Sequence, residues 1–121
     1  MTTGAEIRRL QGGWLERRSA EGYVLARRWP PSMDVSAATT MPDLRPSRLA
    51  RQVRQDLWRA LKSVKGFSPV VQIDFTAEGL TVTAGGRVEG RVPHGLESRI
   101  QEVLDDPARR LRWANCARRD R

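Results

Sequence analysis

Trp58 stands inside the run RQVRQDLWRALK (residues 51–62), among Arg51, Arg54, Arg59 and Lys62, with Arg48 and Lys65 just outside. An indole stacks on flat rings, and guanidinium and ammonium groups pair with anionic oxygens, so this set suits a ligand that is both aromatic and polyanionic. Stacking of one base on an aromatic side chain contributes roughly 1–3 kcal/mol. A second basic set, Arg109, Arg110, Arg112, Arg118 and Arg119, lies near the C-terminus around Trp113.

Other residue types that carry chemistry offer less. His94 is the only histidine and Cys116 the only cysteine, and no Cys-x-x-Cys pair or cluster of carboxylates accompanies either, so no metal site or cofactor is expected. Asp106 precedes Pro107 and reads as a helix cap rather than a general acid or base. Gly85-Gly86, with Gly90 nearby, lacks the Gly-Lys-Ser/Thr ending and the following helix of a phosphate loop, and is expected to form a hairpin turn. Tyr23 beside Glu21 is too slight a signal for a nuclease, and no catalytic residue is expected.

The elements that must position the basic residues follow from periodicity. Leu49, Val53, Leu57, Ala60, Leu61 and Val64 recur at helical spacing between Pro46, a helix-starting residue, and Gly66, a stop, which predicts a helix over about 46–65. PVVQIDF and LTVTA alternate as strands, and RVEGRV reads as a weaker third. After Pro93, Leu96, Ile100, Val103 and Leu104 mark a further helix. Asp106-Pro107 then either starts another helix or kinks a single long one. The expected fold is therefore α+β, a small single domain in the order α-β-β-β-α over residues 46–117, with a three-stranded antiparallel meander and one or two C-terminal helices. A candidate hairpin (residues 1–29, strands Trp14 to Arg18 and Tyr23 to Trp29) and a linker (30–45) would precede it, and a basic tail (118–121) would follow. Because Met41 lies just before the strongest patterning, the first forty residues are candidates for a start-site artefact.

The α-β-β-β-α order is similar to that of double-stranded RNA-binding domains, which grip a helix by shape. The likeness is one of element order alone. This chain reads TAEGL and HGLESR where that family carries Gly-Pro-x-His and Lys-Lys-x-Ala-Lys, and no residue role transfers.

On a helical projection the apolar residues of the first helix span about 120°, and Trp58 falls roughly opposite the centre of that arc. It therefore points into the basic face, near Arg51, Arg54, Lys62 and Lys65. Two uses remain open from sequence: stacking on a base, or packing beneath the hairpin or a second subunit with arginines draped over the ring.

Charge supports a directed surface. The 121 residues carry a net charge of +8, with 22 basic and 14 acidic residues. Residues 46–66 and 108–121 each hold six basic residues and one acid, whereas residues 67–107 hold three and seven. A polyanionic partner is expected, nucleic acid (DNA or RNA) before an acidic protein. With one cysteine, no apolar run suited to a signal peptide or membrane span, and no disulfide within the chain, a soluble cytoplasmic protein without a membrane partner is expected. The expected function is a small basic, non-enzymatic nucleic-acid-binding protein. Its expected contacts are Arg48, Arg51, Arg54, Trp58, Arg59, Lys62, Lys65, Arg109, Arg110, Arg112, Arg118 and Arg119. The alternative is a protein-interaction module, an adaptor or inhibitor in a bacterial, plasmid or phage system, with Trp58 as its anchor.

Overall fold

In the computed structural model, which describes residues 6–119, four strands precede the first helix: β1 (Ile7–Arg9), β2 (Leu15–Arg18), β3 (Gly22–Ala26) and β4 (Val35–Met41). Helix α1 (Pro46–Leu61) follows, then β5 (Phe67–Thr76) and β6 (Gly79–Val88), and finally α2 (Leu96–Asp105) and α3 (Pro107–Ala117). The strands form one antiparallel sheet in the order β1-β2-β3-β5-β6-β4.

This corrects the α-β-β-β-α expectation. The meander is two long strands and not three, because TAEGL closes a hairpin whose second strand runs from Gly79 through Gly85-Gly86 to Val88. The glycines sit mid-strand and not in a turn. Their neighbours approach too closely for a side chain: a Cβ on Gly85 would lie 2.0 Å from the Val35 carbonyl oxygen, and one on Gly86 2.0 Å from that of Ser68. RVEGRV accordingly supplies only the end of β6, and the chain turns away at Glu89-Gly90.

β2 and β3, in the region expected as a separate hairpin, and β4, in the region expected as a linker, belong to the same sheet. Arg18 pairs with Tyr23 across the β2–β3 turn, and β3 docks on β5 with Tyr23 opposite Ile73 and Leu25 opposite Val71. β4 pairs along its whole length with β6, from Val35 opposite Gly86 to Met41 opposite Leu80. Its sequence, VSAATTM, alternates small and polar residues, so no apolar period announces it.

Residues of alternate parity point to opposite faces of a strand. Tyr23, Leu25, Val71, Ile73, Leu80, Val82 and Ala84 meet Leu49, Val53, Leu57, Ile100, Leu104 and Trp113 of the three helices in the main core. Behind the sheet, Val24, Ala26 and Val70 pack with Trp29 and Met33. β3 is thus buried on both faces, which is why its residues show no clean alternation.

Side chains of α2 and α3 close the free edge of β4. The Ser36 N–H donates to Glu97 Oε2 (2.9 Å), the Ala38 carbonyl accepts from Gln101 Nε2 (3.1 Å), and the Thr40 carbonyl accepts from Arg110 Nη2 (2.8 Å). An edge so occupied is not open to pairing with another chain. α2 and α3 are two helices and not one kinked helix, since Asp106 is extended (φ −66°, ψ 117°) and its side chain accepts from the Arg109 N–H at 2.9 Å. No helix among the described residues is long and apolar enough to cross a membrane.

Candidate functional site

The apolar face of α1 (Leu49, Ala50, Val53, Leu57, Leu61) is fully buried against sheet and helices, so the opposite side of the helix must face solvent. Trp58 is there, 56% exposed, with the Lys62 ammonium 5.8 Å from its ring centroid. Arg48, Arg51, Arg59, Lys62 and Lys65 are exposed and Arg54 is half-buried. α1 ends at Leu61, four residues earlier than the sequence predicts, which leaves Lys62 as its C-cap and Lys65 in the turn beyond.

Asp56, the one acid of α1, looks the other way. Two residues along a helix are about 200° apart, so its side chain leaves the helix nearly opposite Trp58. It is buried, and it accepts from Arg112 Nη2 at 2.7 Å and from Trp113 Nε1 at 2.7 Å, with Arg59 Nη1 at 3.8 Å. This triad fastens α3 to α1. Trp113 is fully buried, so it offers no stacking surface.

The C-terminal basic set therefore adjoins α1, but most of its charge is engaged within the fold. Arg110 holds Thr39, Thr40 and the Leu104 carbonyl, Arg112 holds Asp56, and Arg119 Nε lies 3.2 Å from Asp43. Arg109 stands 4.0 Å from Asp106. Arg118 is exposed. On the Trp58 flank the pattern reverses: Arg51, Arg54, Lys62 and Lys65 enter no ion pair among the described residues.

The structure adds residues to this flank that periodicity did not reveal. Trp14, in the turn before β2, lies under two guanidinium groups, that of Arg54 at 4.5 Å from the ring centroid and that of Arg27 at 5.3 Å. Arg27 also donates to the Gly12 carbonyl at 3.2 Å. Burial first, then the charges of Arg51 and Arg27, pushes the Arg54 guanidinium below its ordinary range. Nothing in the local sequence around Trp14 signals a partner forty residues away.

One further ionisable group is buried nearby. Tyr23 donates its hydroxyl hydrogen to the buried carboxylate of Glu16, which Arg8 and Arg18 approach at 3.3 and 3.7 Å. Burial, that hydrogen bond and the Glu16 charge hold the phenol well above its usual value of 10.0. The folded pKa exceeds the unfolded one, so the stability linked to this proton is complete below pH of about 10 and is lost as the pH rises beyond it. Urea titrations across this range should show a wild-type unfolding free energy falling by up to about 1.4 kcal/mol per pH unit more steeply than that of Tyr23→Phe. Parallel pH dependences would mean that the phenol is not protected.

Among the described residues no three of His, Cys, Asp and Glu gather as metal ligands would, and His94 and Cys116 are both exposed. No protein-family model matches the chain, and neither a curated protein nor a solved structure matches it.

Proposed function

We propose that this chain binds nucleic acid without catalysing a reaction, through the flank of α1 that carries Arg51, Arg54, Trp58, Lys62 and Lys65. One observation supports the reading above the others: Arg51, Arg54, Lys62 and Lys65 beside the exposed indole enter no ion pair among the described residues, whereas Arg109, Arg112 and Arg119 of the C-terminal set do. Cations left unpaired beside an exposed aromatic ring suit a strand whose phosphates they neutralise and whose bases stack on Trp58. Arg48 and Arg59 extend the surface around the helix, and Arg118 lies beyond α3.

Fluorescence-anisotropy titration against labelled single-stranded and duplex DNA and RNA, at about 50 and 200 mM salt, tests this. Micromolar or tighter binding that weakens with salt is expected. Absence of binding at the lower salt would overturn the reading and turn attention to an acidic protein anchored by Trp58. Within a binding protein, Trp58→Ala should weaken affinity by about 1–3 kcal/mol. The same exposed substitution should move stability by no more than about 0.5 kcal/mol. Unchanged affinity would remove the stacking contact and leave only phosphate neutralisation.

A further inference from the structure

Between the turn before β2 and the first half of α1 the surface folds inward to a cavity of about 260 Å³, lined by Leu10, Gln11, Trp14, Leu25, Arg51 and Arg54. Its floor is apolar, through Leu10, Leu25 and the Trp14 ring. Its polar wall holds two guanidinium groups and one amide, and no carboxylate. Arg54 Nε is shut off from solvent and has no hydrogen-bond partner. A buried donor left unpaired is costly in a folded protein, and Arg54 as a whole is only half-buried where it lines the cavity.

Elsewhere this fold matches its buried charges. Glu16 is met by Tyr23, Arg8 and Arg18, and Asp56 by Arg112, Trp113 and Arg59. At the cavity the balance fails in the cationic direction: Arg51 and Arg27 repel Arg54, only the protonated Tyr23 phenol lies on the opposing side, and no carboxylate among the described residues forms an ion pair with any of the three arginines. The Trp14 ring, with two guanidinium groups over it, holds Arg54 and Arg27 close to each other despite like charge.

The geometry points to a binding site for a phosphate monoester, with Arg51 and Arg54 on the phosphate oxygens and Leu10, Leu25 and Trp14 against the group that carries it. A dianion answers the unbalanced charge better than a carboxylate does, and guanidinium forks match phosphate oxygens in pairs. The cavity lies slightly below the roughly 300–1,000 Å³ of sites for drug-sized ligands, so it admits a phosphate and its adjoining sugar rather than a whole dinucleotide. Two sources share this chemistry: a free mononucleotide and the 5′-phosphorylated end of a strand. The site borrows Arg51 and Arg54 from the flank of α1 but does not rest on the reading of that flank, because a mononucleotide would fill it without any polymer.

Isothermal titration calorimetry of the intact protein at low salt, against 5′-AMP, adenosine and inorganic phosphate, tests the assignment. Binding of 5′-AMP at least tenfold tighter than that of adenosine is expected, and at least a tenfold loss in Arg51→Gln, whose exposed position spares the fold. Arg54→Gln should lose as much, and a thermal melt of each variant establishes that it is folded. Equal affinities for 5′-AMP and adenosine, or an unchanged 5′-AMP affinity in folded Arg51→Gln, would overturn the assignment. A tetranucleotide with a 5′-phosphate set against its 5′-hydroxyl form separates the sources. A tenfold preference for the phosphorylated strand assigns the site to strand ends, and equal affinities alongside tight 5′-AMP binding assign it to mononucleotides. Binding of long nucleic acid with no 5′-AMP binding would overturn this site while leaving the proposed function standing.

Discussion

Asp56→Ala should cost about 2–4 kcal/mol of folding stability, from the Trp113 N–H left without its acceptor and the lost charge-assisted bond to the half-exposed Arg112. Asp56 is 3% exposed, and its carboxylate accepts at 2.7 Å both from Arg112 Nη2 and from the indole N–H of Trp113. Alanine would leave that N–H unpaired at the centre of the α1–α3 contact and would open a void beside the largest side chain of the core. Domains of this size are stable by only about 5–15 kcal/mol in total, so the loss should be plain in a urea unfolding curve. Asp56→Asn separates the two contributions. Its amide oxygen can still accept from Trp113, but the charge facing Arg112 and Arg59 is gone, and an intermediate loss is expected. A loss within about 1 kcal/mol for alanine would show that α3 is held by its apolar contacts alone.

The same residue shows where sequence reading succeeds and where it stops. The period of Leu49, Val53, Leu57 and Leu61 is imposed by burial on one side of a helix, and it is legible because burial acts on neighbours three and four positions apart. It also places Trp58 outward, as the structure has it. That Asp56 would be buried is not legible, since the groups that satisfy it lie 56 and 57 positions along the chain. β4 escaped for a related reason. Ser36, Ala38 and Thr40 need no apolar character, because side chains of α2 and α3 complete the edge of the strand that carries them. Gly85 and Gly86 misled because glycine serves tight turns and close strand approaches equally well, and only the neighbours' carbonyls decide between them. Trp14 and Arg27 joined the candidate site through contacts that cross from hairpin to helix, which no local pattern encodes.

Internal pairing predicts how the two basic sets will differ in a salt titration. Each phosphate neutralised releases counterions, so the logarithm of affinity falls with the logarithm of salt by about 0.9 per contact on duplex DNA and about 0.7 on a single strand. Four contacts from Arg51, Arg54, Lys62 and Lys65 give slopes near −3.6 and −2.8, or losses of roughly 150-fold and 50-fold between about 50 and 200 mM salt. Each change of one of these residues to glutamine should make the slope shallower by about one contact, and charge reversal of Arg51 and Lys62 together should weaken binding by about 100-fold or more at the lower salt. Arg110→Gln and Arg112→Gln should behave differently. Their guanidinium groups already hold Thr40 and Asp56, so they should lower the unfolding midpoint and leave the salt slope nearly unchanged. An equal change of slope from both sets would mean that α3 gives up its internal partners to the ligand, and the binding surface would then wrap around α1 to include the C-terminal arginines.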